Sequence, residues 1–148
     1  MSQDQTQSSH IRTRLRIVDL ARSLVGTRFK HQGRTKEGLD CVGVVIKVGS
    51  ELGLLDYDVS DYQKRTSGHS FLHYMREAKL VSKNWKKRAV GDILLMHDQH
   101  FPCHLALLSC DLPQTIIHAH SSRRCVLEEL YEPWKNRFVG LYEFPGLS

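Results

Sequence analysis

The sequence predicts a single α+β domain in which helices pack on one antiparallel sheet of about five strands. Two patterns indicate this class. Apolar residues at helical spacing fill the first half of the chain, and short alternating apolar runs separated by turn residues fill the second half. The length of 148 residues suits one domain, and 41% hydrophobic with 25% charged residues excludes a disordered chain, a coiled coil and a collagen-like repeat.

The first helix is predicted from Ile11 to Val25, where apolar residues recur every three or four positions and arginines occupy the other face. Gly26 is a typical residue for the end of such a helix. The ten residues before Ile11 are polar, so residues 1–10 are expected to form a flexible tail and residues 11–148 the single domain.

A second, buried helix is predicted from Cys41 to Leu52, after a polar loop over Thr27–Leu39. Many of its residues are β-branched, which by propensity alone also allows a strand, but its length favours a helix, and Asp40 is a good N-cap. A polar, turn-like stretch over Asp56–Gly68 then leads to a third, amphipathic helix over Ser70–Val81.

The second half of the chain predicts the sheet. Turn residues separate its short apolar runs, as in antiparallel hairpins. The predicted strands are Asp92–Met96, His104–Ser109, Thr115–His120, Cys125–Glu129 and Arg137–Phe144.

The net charge of +5 suits an acidic partner, whether nucleic acid, an anionic wall polymer or a membrane surface. The basic segment Lys83–Arg88 is better explained as a solvated connection than as a polyanion contact, so a nucleic-acid-binding domain is a minor alternative and no nucleic-acid partner is expected. The first ten residues lack the apolar centre of a secretory signal, and no apolar run reaches the roughly 20 residues of a membrane span. We therefore expect a chain made in the cytoplasm without a signal peptide, with no membrane insertion.

Cys41 is the candidate nucleophile, because it would lie in the first turn of the second helix. Free backbone N–H groups and the helix dipole there favour a thiolate. Gly43 removes bulk beside the sulfur and lets another element, or a substrate, approach closely. The other cysteines, Cys103, Cys110 and Cys125, form no CxxC pair with it, so free thiols are expected rather than a zinc ribbon.

Three histidines on the predicted strands supply a base and an orienting group. His104 opens one strand, and alternation places His118 and His120 on the same face of the next. If the two strands are neighbours, one of this pair can hold the His104 ring, which makes a Cys-His-His arrangement. A zinc site formed by the two paired histidines with Cys103 or His104 is the alternative, but no fourth ligand has a familiar spacing, so no metal or cofactor is expected.

Together these motifs resemble the NlpC/p60 family of papain-like cysteine peptidases, and more narrowly its phage-tail branch. The matching stretches are Gly26–Gly33, Leu39–Gly43, Gly91–Leu95, Cys103–Leu108 and Ile117–Ala119. The resemblance implies the NlpC fold, with Cys41 as nucleophile, His104 as general base and His118 as the residue that orients it. It also implies that the backbone N–H of Cys41 helps to stabilise the oxyanion, while His120 at most lines the cleft.

The chain departs from the family where a Tyr usually stands, because Phe29 has no hydroxyl to offer the substrate. Gln32 or His31 are the candidate substitutes, and together with Asp40 and His120 these are the predicted substrate-binding residues. A second departure, Val42 in place of the usual Ser, is tolerated in the phage-like branch.

The resemblance implies an endopeptidase or amidase that hydrolyses peptidoglycan stem peptides at a D-glutamyl–diaminopimelate bond. Partners from a phage tail or a secretion apparatus are then expected, and delivery to the wall by a phage tail, lysis or an injection device. The missing Tyr hydroxyl keeps open a catalytically silent wall-binding or tail-assembly module of the same fold.

Overall fold

The computed structural model describes residues 2–59, 68–98 and 101–147. Its described helices are α1 (Gln3–Ser23), α2 (Cys41–Glu51) and α3 (Gly68–Glu77). The strands are β1 (Arg34–Thr35), β2 (Gly38–Leu39), β3 (Val81–Lys83), β4 (Ile93–Asp98), β5 (Phe101–Asp111), β6 (Gln114–His120), β7 (Cys125–Leu130) and β8 (Phe138–Glu143). Two 3-10 helices cover Trp85–Lys87 and Glu132–Arg137. The α+β class is confirmed.

The main sheet has six strands in the order β3-β8-β4-β5-β6-β7, and every neighbouring pair is antiparallel. The five predicted strands correspond to β4–β8. The prediction missed β3, because its three residues are too few to show an alternation. The predicted third helix instead ends at Glu77, and the positive φ of Lys79 turns the chain toward β8.

The tail predicted over residues 1–10 is wrong for residues 3–10, which form the first turns of α1. A capping box begins this helix. The Ser2 hydroxyl accepts from the Gln5 N–H, and the Gln5 side chain accepts from the Ser2 N–H, both at 3.3 Å. The helix therefore begins well before its apolar periodicity, whose first members, Ile11 and Leu15, are exposed, while Ile17, Val18 and Ala21 are buried.

The β-branched run after Asp40 forms the predicted helix, α2, because the helix is surrounded by core on nearly every side. Seven of its 11 residues are buried. Asp40 is its N-cap, with Oδ1 accepting from the Gly43 N–H at 2.7 Å. Tertiary burial thus outweighs the intrinsic preference of Val and Ile for strands.

The sheet carries a hydrophobic cluster on each face. The larger cluster packs α1, α2 and α3 against the strands, with Ile17, Val48 and Phe144 at its centre. The smaller cluster lies on the other face, where Tyr131 and Trp134 of the last connection pack against it. The histidines of the candidate site contact this second layer.

Part of the polar stretch predicted over Asp56–Gly68 lies outside the described residues, which omit residues 60–67. Across the parts of the chain that the structure describes, no helix combines the length and apolar character needed to cross a bilayer.

Candidate active site

Cys41 is the first residue of α2, as predicted, and the loop before the helix folds back over it. The carbonyl oxygen of Gly33 lies only 2.1 Å from the position that a Cβ on Gly43 would take. The element that approaches Gly43 is therefore this chain's own loop. Only glycine permits that contact, because any side chain would push the loop off the first turn.

The thiol of Cys41 differs from the expected thiolate. Burial, followed by the negative charge of Asp40, raises the pKa of Cys41 to about 12. The backbone N–H groups of Leu105 and Val42 act in the opposite direction without overcoming this. The prediction that the helix start favours a thiolate is therefore wrong for the free protein, because burial and Asp40 outweigh the helix dipole.

His104 and His118 form a buried pair between β5 and β6. Nε2 of His104 lies 2.7 Å from Nδ1 of His118, and the two residues are 5% and 0% exposed. The pairing of β5 with β6 runs from Asp111–Gln114 to Leu107–Ile117, so both histidines lie just beyond its end. The two rings contact each other where the pairing of β5 with β6 has ended.

Two residues that the sequence did not indicate complete the histidine pair. Glu129 of β7 lies 3.0 Å from Nε2 of His118, and its other oxygen accepts from the indole N–H of Trp134 at 3.2 Å. The Trp134 ring meets His118 edge-on and stacks on His104. Strand pairing gives the only sequence signal for Glu129, since β7 places it diagonally across from His118.

The pKa values of the two histidines are shifted in the same direction. Burial, with repulsion from His118, His120 and Arg137, lowers the pKa of His104 well below its ordinary value. Burial also lowers the pKa of His118, although the hydrogen bond to Glu129 opposes that effect. Both rings are therefore neutral at neutral pH, as a general base must be before it accepts a proton.

Cys41 meets the histidine strand through the residue that follows His104. The N–H of Leu105 faces the thiol, and Leu105 packs in the same cluster as Cys41. Among the described residues, no hydrogen bond joins the thiol to the His104 ring. The structure thus brings His104 and His118 together, with both rings against Trp134 of the second layer, whereas Cys41 packs in the larger cluster and contacts Leu105 instead of the His104 ring.

Three of the predicted substrate-binding residues meet beside Cys41. Asp40 is 3% exposed, and its Oδ2 accepts from the Gln32 N–H at 2.8 Å and lies 4.0 Å from Nδ1 of His31. Its Oδ1, already the cap of α2, also accepts from Arg34 at 3.3 Å. These contacts give Asp40 a part in holding the loop on the helix start, while His31 and Gln32 remain partly exposed there.

The other two predicted binding residues lie along the edge formed by β6 and β7. The N–H of Phe29 donates to the Arg124 carbonyl at 2.8 Å, beside the β-bridge of Arg28 with Cys125. His120 is the Cα partner of Cys125, and its ring centroid lies 5.5 Å from that of His104. Phe29 and His120 are both partly exposed. His120 borders the histidine pair, whereas Phe29 packs against the larger cluster.

The zinc alternative finds no support in the described part of the chain. No group of three or more His, Cys, Asp or Glu there could hold a metal ion. No disulfide joins any of the four cysteines, all of which lie in the described residues.

The chain is similar to several known proteins, although no family model matches it. It is 26% identical over 140 residues to the murein DD-endopeptidase MepS/murein LD-carboxypeptidase of Escherichia coli, a match that covers 93% of this chain and 67% of the relative.

Among solved structures, the chain is similar to the NlpC/p60 domain of the peptidoglycan hydrolase SagA, with a TM-score of 0.63 and 18% identity over 87% of this chain and 97% of that one. It is also similar to an NlpC/p60 family protein from Bacillus cereus, with a TM-score of 0.66 and 17% identity over 87% of this chain and 39% of that one. The chain therefore has the papain-like NlpC/p60 fold, and the resemblance that its motifs predicted is confirmed. The phage-tail branch stays a prediction.

Proposed function

We propose that this chain is a cysteine peptidase that hydrolyses amide bonds in the stem peptides of peptidoglycan. The single observation that carries the proposal is the buried hydrogen bond of 2.7 Å between His104 and His118, with His104 on the strand whose Leu105 faces the thiol of Cys41 at a helix start. The names of the E. coli murein endopeptidase and of the SagA peptidoglycan hydrolase support the same class of substrate.

The chemistry requires Cys41 to lose its proton as it reacts, because its thiol is neutral in the free protein. Sγ attacks the amide carbonyl carbon while the thiol proton passes to Nδ1 of His104, the ring nitrogen not bonded to His118. The backbone N–H of Cys41, in the first turn of α2, is available to the oxyanion.

His104 then returns the proton to the leaving amine as the C–N bond breaks, which leaves a thioester on Cys41. A water molecule gives its proton to His104 and attacks the thioester. As the C–S bond breaks, the product leaves as a carboxylic acid, which ionises in water, and His104 returns its proton to Sγ to restore the thiol. Throughout, His118 holds the ring of His104 in place.

The bond we propose, by resemblance, is the D-glutamyl–diaminopimelate amide. The name of the E. coli relative instead describes DD-endopeptidase and LD-carboxypeptidase activities. Mass spectrometry of peptidoglycan digested with the protein separates these bonds, because each leaves stem fragments of a different mass. We expect new fragments from the wild type and none from Cys41→Ala, and a digest without wall fragments would overturn the proposal.

A catalytically silent wall-binding module is the second candidate, and two observations favour it. Burial raises the pKa of Cys41, and Phe29 has no hydroxyl to offer a substrate. Co-sedimentation with peptidoglycan separates the two candidates. A silent module binds the wall equally well with and without the Cys41→Ala substitution, and it releases no fragments. For either candidate, we propose delivery to the wall by a phage tail, lysis or an injection device.

A further inference from the structure

We infer that Glu129 is a positioning residue that fixes the tautomers of His118 and His104, so that the Nδ1 of His104 is left unprotonated and ready to receive the thiol proton. The inference rests on the proposed function for its catalytic consequence. Its structural content, the position of two ring protons, holds for the free protein and is measurable without substrate.

The direction of the hydrogen bonds follows from the carboxylate. Burial raises the pKa of Glu129, but the hydrogen bonds from His118 and Trp134 outweigh it, so the pKa lies below its ordinary value. An ionised carboxylate only accepts hydrogen bonds. The Nε2 of His118, 3.0 Å from Oε2 of Glu129, must therefore carry a proton.

The same reasoning passes from one ring to the next. A neutral His118 that is protonated at Nε2 has a bare Nδ1, which only accepts. The Nε2 of His104, 2.7 Å away, must then donate to it. A neutral His104 protonated at Nε2 has a bare Nδ1, and this is the nitrogen that the proposed reaction uses.

Glu129 is the carboxylate that acts on the histidine pair and accepts the hydrogen bond from His118. The charged groups that act on the two rings lie on β5, β6 and β7, in the turn after β6 and in the last 3-10 helix. They are His104, His118, His120, Arg123, Glu129 and Arg137. In this set Glu129 is the anion, whereas Arg123 and Arg137 disfavour protonated rings. Without Glu129, this set would offer His118 no negatively charged hydrogen-bond acceptor.

Trp134 holds Glu129 in place and covers the pair. Its indole N–H donates to the carboxylate oxygen that His118 does not use. Its ring centroid lies 4.9 Å from that of His118 at 87°, and 5.9 Å from that of His104 at 22°. The aromatic cover keeps water from competing for the hydrogen bonds beneath it.

Long-range proton–nitrogen NMR of the imidazole rings tests the inference in the 148-residue chain, because it reports which nitrogen carries the proton. We expect both His104 and His118 of the wild type as the Nε2–H tautomer. In Glu129→Ala, His118 should become a mixture of tautomers. In Glu129→Gln, the amide oxygen can still accept, so the tautomer should persist without the negative charge.

Glu128→Gln is the matched control, because Glu128 is the neighbour of Glu129 on β7 and instead bonds Arg22 of α1. In this variant, His104 and His118 should have the same tautomers as in the wild type. The same spectra show whether each variant is folded. If Glu129→Ala does not fold, the wild-type tautomers still decide: an Nδ1–H form of either ring would overturn the inference.

Kinetics supply the second readout. The acid limb of the pH profile of kcat/KM reports protonation of the histidine pair in the free enzyme. Glu129→Gln should move this limb to lower pH, because it removes the negative charge, whereas Glu129→Ala, which also loses the fixed tautomer, should lower kcat/KM by about tenfold or more. A limb that stays in place while only the thermal stability falls would mean a merely structural role. If the wild type cleaves nothing, the proposed function fails, and the tautomers alone decide the inference.

Discussion

Nε2 of His104 and Nδ1 of His118 lie 2.7 Å apart in the interior, beyond the point where β5 and β6 cease to pair. Only one proton can occupy that hydrogen bond, so the two facing nitrogens cannot both be protonated without breaking it. Burial lowers the pKa of both rings, so the pair is neutral at neutral pH. The relationship links the catalytic proposal to the stability of the fold.

Stability should fall as the pH falls from 7 to 5, because the two histidines have lowered pKa values in the folded state. Below about pH 6.5 the unfolded chain binds protons at both rings more readily than the folded chain does. His104→Gln removes one such ring and should flatten the dependence by up to about 1.4 kcal/mol per pH unit. Urea unfolding at pH 5, 6, 7 and 8 measures this.

The control for that series is His73→Gln, because the His73 side chain on α3 is 56% exposed. It should leave the pH dependence of the unfolding free energy unchanged. A His104→Gln protein whose stability falls as steeply as that of the wild type would show that the buried ring is not the source.

Alkylation of Cys41 should be slow at neutral pH, because a pKa raised to about 12 leaves little thiolate. We expect iodoacetamide to modify Cys41 at least about tenfold more slowly than free cysteine at pH 7, at a rate that still rises above pH 9. Peptide mapping separates Cys41 from Cys103, Cys110 and Cys125. Labelling at pH 6 that outpaces free cysteine would instead indicate a resting thiolate.

Gly43→Ala should destabilise the fold and abolish activity, because its Cβ would lie 2.1 Å from the backbone oxygen of Gly33. A backbone atom cannot rotate away as a side chain does, so the loop must move off α2. Overpacking of this kind costs about 1–3 kcal/mol. Thermal unfolding checks this against Ser50→Ala, an exposed site on the same helix. Equal stability of the two variants would count against the close contact.

Arg14→Ala should be strongly destabilising, because Arg14 joins α1 to the sheet through buried carboxylates. Its guanidinium contacts Asp92 at 2.6 Å and Glu143 at 2.5 Å, and Lys83 shares both partners. Removing one member leaves buried charge poorly compensated, at a cost of about 3 kcal/mol or more.

Arg22→Ala is the matched change for that prediction, because Arg22 lies on the same helix as Arg14. The substitution breaks a surface ion pair between Arg22 and Glu128 of β7. It should cost less than about 1 kcal/mol. Chemical denaturation compares the two variants, and equal losses would refute a special role for the buried network.

The sequence predicted those features that depend on local patterns. The N-cap at Asp40, the helix start at Cys41 and the alternation of His118 with His120 are all short-range, so they were found. Glu129 was missed because its contact with His118 depends on how β6 pairs with β7, which no local pattern encodes. The short β3 and the capping box at Ser2 were missed because neither has apolar periodicity.

The protonation state of Cys41 was mispredicted for a related reason. The helix dipole and free N–H groups are local and can be foreseen from the N-cap pattern. Burial of the thiol depends on the loop that Gly33 and Gly43 bring over α2, and on the approach of Leu105 from β5. Tertiary packing therefore reverses the shift in pKa that the local structure alone would give.

The most direct test of the peptidase proposal is the time course of muropeptide cleavage by three proteins, the wild type, Cys41→Ala and Cys110→Ala. Cys110 is a free, partly exposed cysteine of β5, so its replacement controls for loss of a thiol. We expect Cys41→Ala to lose activity by about 10³-fold or more, while Cys110→Ala cleaves as the wild type does. Cleavage by Cys41→Ala at the wild-type rate would contradict the proposal.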